Sequence, residues 1–141
     1  MPTYRTASEG DTIRLGEQLA RTWGTSGEPR KRVVLLIGNL GAGKTTMAKG
    51  IVSGLGAAEP DEVSSPTFTL IHEYGPNVYH VDLYRLEEER EVATLGLEEI
   101  FEKEAVVLIE WGERFPGLIP PRHMEIRLEE KSGNVRQITV V

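Results

Sequence analysis

Residues 32–38 (RVVLLIG) and 105–112 (AVVLIEWG) are near-unbroken apolar runs rich in valine, leucine and isoleucine. Runs of that kind, with no alternation, predict strands covered on both faces. Residues 69–74 (TLIHEY) and 78–86 (VYHVDLYRL) mix apolar and polar positions. Only GPN separates them, which predicts an antiparallel hairpin. Residues 123–141 alternate on both sides of KSGN and predict a second, closing hairpin. Helical spacing predicts a helix over 8–24, where Ile13, Leu15, Leu19, Ala20 and Trp23 recur, with Ser8 or Asp11 as its cap. A helix over 44–57 is expected to end near Gly54 or Gly56, and one over 86–104 to break around Gly96. Residues 25–31, 58–68 and 113–121 read as connections. The order helix, strand, loop, helix, hairpin, helix, strand, hairpin predicts an α/β sandwich whose mixed sheet has a parallel centre and antiparallel additions.

Length and charge narrow the picture. The 141 residues suffice for a single domain, 1–141, with a real core and no room for a second catalytic domain. The net charge of −6 argues against coating nucleic acid, which needs a basic face to release counterions. There is no cysteine, hence no disulfide and no thiolate zinc site. No apolar run approaches the ~20 residues that span a bilayer, and the first residues lack the apolar core of a signal peptide. The expectation is a soluble cytoplasmic protein without a membrane partner.

The chemistry concentrates in residues 38–46, GNLGAGKTT. Gly38, Gly43, Lys44 and Thr45 satisfy G-x-x-x-x-G-K-[ST], between a buried strand and a helix start, as a phosphate loop requires. Glycines let the backbone of Asn39, Leu40, Gly41, Ala42 and Gly43 curl so that successive N–H groups form an anion nest at the helix N-terminus. Lys44 then reaches the β- and γ-phosphates, Thr45 places a hydroxyl on Mg²⁺, and Thr46 reaches the α-phosphate region.

Such a site needs an acid near the cation, at the end of a neighbouring strand. Asp82 and Glu110 both end predicted strands at the carboxyl edge of the sheet, where ligands bind in open α/β folds. Glu110 is the expected metal neighbour and Asp82 belongs near the metal and the γ-phosphate; which of them contacts Mg²⁺ directly stays open. Ser65 and Thr67 flank Pro66 where switch segments lie, though an ordinary ST-turn has the same look. Strand alternation puts Trp111 opposite Glu110, as core or as a partner anchor. Glu113 is a candidate cap of the following turn. His72, His80 and His123 do not cluster and read as strand histidines. Arg85, Arg90 and Arg114 read as solvated charges rather than phosphate fingers.

Neither N-K-x-D nor D-x-x-G occurs, so guanine specificity lacks its usual carrier. A small P-loop kinase acting on a small-molecule acceptor is the alternative to a nucleotide-controlled binding module, but residues 87–104 are too acidic for a phosphate lid.

GNLGAGKTT, SSPTFTLIHEY, YHVDLYRL and LIEWGERF stand in order, preceded by T-x-x-L-G at Thr12. In these motifs the chain resembles the TsaE (YjeE) family, small bacterial ATPases of tRNA threonylcarbamoyladenosine synthesis, from about Thr12 to the closing hairpin. The resemblance implies a three-layer sandwich of the P-loop NTPase kind with antiparallel strands added to its sheet, and ATP and Mg²⁺ as ligands. It implies TsaD and TsaB as partners, tRNA reached only indirectly through their complex, and hydrolysis that resets that complex. It further implies that Lys44 holds the phosphates, that Thr45 and Glu110 hold the metal, and that Asp82 is required for hydrolysis. Thr12 would lie near the adenine, and Trp111 by the site for activity or docking. The segment with Ser65 and Thr67 would be switch-like, Thr67 facing the γ-phosphate or TsaD. The closing hairpin carries nothing over.

Overall fold

The protein is described by a computed structural model covering residues 2–25, 31–66, 69–75 and 77–141. Its seven strands are β1 (Thr3–Thr6), β2 (Arg32–Ile37), β3 (Ile71–Tyr74), β4 (Val78–Asp82), β5 (Val106–Glu110), β6 (Met124–Ser132) and β7 (Val135–Val140). The helices are α1 (Glu9–Thr25), α2 (Lys44–Gly54), α3 (Glu89–Ala93) and α4 (Leu97–Glu102). One sheet runs β1-β7-β6-β2-β5-β4-β3. Its centre, β6, β2, β5 and β4, is parallel; β3, β7 and β1 add antiparallel edges.

The apolar runs explain the layering. On β2, Val34 and Leu36 face α1 and α2, while Val33 and Leu35 face α3 and α4. On β5, Leu108 joins the first layer and Ile109 the second, and both are fully buried. Each such side chain contributes about 1.5–3 kcal/mol by leaving water, so the central strands are fixed in register from both sides. The expected three-layer sandwich with a parallel centre is what forms.

Local signals place the helices. Ser8 Oγ accepts the Asp11 amide at 3.0 Å, and Asp11 returns the favour by accepting the Ala7 amide at 3.0 Å. Both candidate caps therefore act at the start of α1. The acidic 86–104 stretch does break at Gly96, whose φ of 76° ends one short helix before the next begins.

The structure departs from the expected elements at several points, among them the strand expected over 69–74, which starts only at Ile71 because Leu70 takes a left-handed φ of 67°. β1 lies outside the expected elements, because its four residues TYRT carry no apolar run; it is held by pairing with β7 and by the Thr6–Thr12 contact with α1. The strand expected over 78–86 stops at Asp82: the Leu83 amide makes the last ladder bond, to the Glu110 carbonyl, and the Tyr84 amide then turns back to the Asp82 carboxylate. The strand expected over 105–112 stops at Glu110, because Trp111 takes a left-handed φ of 68°. Among the described residues no helix is long and apolar enough to cross a membrane.

Candidate functional site

The connection between β2 and α2 wraps around the first turn of the helix. Gly41 and Gly43 have φ values of 80° and 101°, a region that costs a side-chain-bearing residue about 1–2 kcal/mol. Gly38 serves a different need from the curl expected of it: a Cβ there would lie 2.7 Å from the Leu128 carbonyl on β6. The loop thus seats on the sheet extension, and the α2 N-terminus, which favours anions, opens into a cleft of about 480 Å³.

Lys44 is buried at the cleft floor. Its Nζ donates to the Gly38 carbonyl at 2.7 Å and sits 3.4 Å above the Trp111 ring. Burial lowers the Lys44 pKa below the ordinary lysine value, against the pull of Glu110, Glu113 and Asp82. Trp111 packs against the α3–α4 core layer, as alternation from Glu110 expects, and with a left-handed φ of 68° at the strand end its ring also meets Lys44. Tyr84 meets its ring edge-on at 5.1 Å.

Alternation on β5 points Glu110 to the α2 side, with Leu108. Thr45 Oγ1 donates toward its two carboxylate oxygens at 3.1 and 3.4 Å. Asp82 lies directly across from Glu110 in the parallel β4–β5 register. Its oxygens accept the Ser65 hydroxyl and the Tyr84 amide, both at 2.9 Å. Thr45 and Glu110 offer hard oxygens side by side, a donor set suited to Mg²⁺, which takes one or two protein ligands and completes its shell with water and phosphate. Among the described residues no group of three or more His, Cys, Asp or Glu is gathered, as a cation held by the protein alone would need.

The cleft lining brings together most of the residues expected from the sequence: Leu40, Gly41, Gly43, Lys44, Thr45 and Thr46 from the loop and helix, and Ser65, Asp82, Glu110 and Trp111 from around it. Thr12 lines it from α1, its hydroxyl paired with that of Thr6 at 2.8 Å. Asn39 and Ala42 instead face a neighbouring depression against β6 and β7, and Ala42 is buried. Thr67 lies outside the described residues.

Sequence reasoning missed several neighbours. Arg136 on β7 donates to the loop carbonyls of Ala42 at 3.1 Å and Gly41 at 3.2 Å, and lines the cleft with Asn134, Ser8 and Glu9. His80, expected as a plain strand histidine, contacts Glu110 at 2.6 Å. Arg114 donates to the Leu83 and Tyr84 carbonyls rather than to solvent alone. Glu113 carries a buried oxygen with no partner among the described residues, and burial pushes its carboxyl up from the ordinary value.

Known proteins resemble this chain in sequence and fold. Residues 6–138 match the family model described as threonylcarbamoyl adenosine biosynthesis protein TsaE. The tRNA threonylcarbamoyladenosine biosynthesis protein TsaE of Bacillus subtilis is 43% identical over 110 residues, 76% of this chain and 67% of its own. That of Treponema pallidum is 38% identical over 135 residues, 94% of this chain and 95% of its own. The crystal structure of B. subtilis YdiB superposes with a TM-score of 0.75 at 30% identity, covering 99% of this chain and 83% of the other. With the phosphate loop, the facing acids and the mixed sheet in place, these matches settle the family: the chain belongs to the TsaE family of tRNA threonylcarbamoyladenosine biosynthesis.

Proposed function

We propose that the cleft binds ATP with Mg²⁺ and hydrolyses it slowly, and that this turnover resets a TsaD–TsaB complex that makes threonylcarbamoyladenosine on tRNA. The observation that carries the reading is the contact of Thr45 with Glu110 beside Lys44, at the mouth of the α2 N-terminus. The loop amides and Lys44 hold the phosphates. Thr45 and Glu110 hold the cation, which when bound offsets phosphate charge.

Asp82 takes the water. Its carboxylate is fixed by Ser65 and Tyr84 and faces the cleft across from Glu110. The oriented water forms a bond to the γ-phosphorus while the bond to the bridging oxygen breaks, releasing ADP and inorganic phosphate. Fixed carboxylates of this kind contribute about 10²–10⁴ in rate.

What the site lacks favours a partner. Among the described residues that line the cleft the cations are Lys44 and Arg136, and Arg136 is engaged with the loop carbonyls. An arginine supplied from outside is worth about 10³–10⁵ in rate, so the isolated chain is expected to turn over slowly. The tRNA is reached through TsaD and TsaB, in keeping with the net charge of −6.

The test is Lys44→Ala, read by ATP binding and by phosphate release. Loss of both is expected. Hydrolysis at the wild-type rate in Lys44→Ala would remove the cleft as the ATP site.

A further inference from the structure

Glu110 has two carboxylate oxygens, and the protein uses them unequally. His80 Nε2–H donates to Oε2 at 2.6 Å, and the Thr45 hydroxyl lies nearer the same oxygen, 3.1 Å against 3.4 Å to Oε1. Register makes the His80 contact possible. In the parallel β4–β5 pair His80 sits opposite Leu108 and Asp82 opposite Glu110, so His80 is one diagonal step below Glu110 on the same face.

The ring is costly where it stands. His80 is fully buried, 0% exposed, and its other nitrogen, Nδ1, has no partner among the described residues. A buried polar atom without a partner is a standing loss, and an apolar side chain of similar size would fill the volume without it. Among the described residues the one hydrogen bond of the His80 ring is to Glu110, so the reason for an imidazole there is that carboxylate.

We propose that His80 is a positioning residue that occupies Glu110 Oε2 and leaves Oε1 as a single oxygen for the cation, so that the site favours Mg²⁺ over Ca²⁺. The physical ground is the difference between the two ions. Mg²⁺ requires a near-octahedral shell of single oxygens, whereas the larger Ca²⁺ gains from a carboxylate that turns to give both. A carboxylate pinned by a buried ring cannot turn. Partners of metal ligands commonly set ligand orientation in this way, and their loss costs about 10- to 100-fold in metal affinity. The inference rests on the reading of the cleft as an ATP·Mg²⁺ site.

The experiment is calorimetric binding of ATP to the purified full chain in Mg²⁺, in Ca²⁺ and with divalent cations chelated. The variants are His80→Phe, which keeps the ring shape without the donor, His80→Gln, whose amide reaches the same oxygen, and His80→Asn, whose amide falls short. Cooperative thermal unfolding verifies that each is folded. Wild type and His80→Gln are expected to prefer Mg²⁺. In His80→Phe and His80→Asn the Mg²⁺-dependent affinity falls about 10- to 100-fold and the preference over Ca²⁺ shrinks, while cation-free ATP binding is unchanged. A folded His80→Phe with the wild-type preference overturns the proposal; if His80→Phe does not fold, equal preferences in His80→Gln and His80→Asn overturn it. Wild type that binds no ATP with or without cation overturns the ATP reading itself, and with it this one.

Discussion

The spacing of α1 and α2 sets the width of the cleft, and Gly50 sets that spacing. A Cβ at Gly50 would stand 2.2 Å from the Ile13 carbonyl oxygen, 2.9 Å from its carbon and 3.0 Å from the Gly16 Cα, all backbone atoms that cannot rotate away. In Gly50→Ala the helices must therefore part by close to an ångström. Overpacking of this severity costs about 3 kcal/mol, against a helix-propensity gain of about 0.8–1 kcal/mol for alanine over glycine. The net is a loss of about 2 kcal/mol, or about 6–10 °C in Tm for a chain of this size. Urea unfolding followed by far-UV circular dichroism reads it as a lower midpoint with the slope unchanged. ATP affinity should fall too, because α1 carries Thr12 and α2 carries Lys44, Thr45 and Thr46 at the cleft wall. Gly10→Ala is the control: its Cβ meets nothing nearer than 3.4 Å, the end of the Arg14 side chain, so it is expected to be neutral or mildly stabilising. A Gly50→Ala protein as stable as wild type would refute the argument from backbone contact.

Other outcomes follow from single groups. Asp82→Asn keeps an oxygen for the Tyr84 amide and should bind ATP normally while phosphate release falls at least about 100-fold; unchanged release would remove Asp82 from the water. Glu113 has a folded pKa raised from 4.5 by burial, so the unfolded chain gives up its proton first and stability falls as pH rises above about 4.5 toward the folded value. Glu113→Gln removes that loss, and its stability relative to wild type should grow from pH 4 to pH 7 in denaturant titrations; a pH-independent difference would contradict the assignment.

Much of this was legible in the sequence where the signal is local. The apolar runs of β2 and β5 announce strands covered on both faces, and GNLGAGKTT announces the loop, because the residues that make it are adjacent. Asp82 and Glu110 could be picked out as strand-end acids, but their pairing with Ser65 and Thr45 depends on register, which no short stretch encodes. Trp111 was legible as a core residue of the face opposite Glu110, but its contact with Lys44 was not, since it comes after the strand has ended in one left-handed φ. Arg136 was out of reach altogether, since it is 94 residues along the chain from the Ala42 carbonyl it holds. β1 depends on partners far along the chain, the edge of β7 above all. His80 looked like any strand histidine until the diagonal neighbour on β5 was known to be Glu110.

The central claim is a slow ATPase that a partner completes. It is tested most directly by release of inorganic phosphate from ATP by the purified chain, alone and with TsaD and TsaB from the same source. The account predicts slow release alone and a large rise with the pair, abolished by Lys44→Ala. No effect of the pair, with the γ-phosphoryl group appearing on a small acceptor instead, would contradict it and identify a kinase.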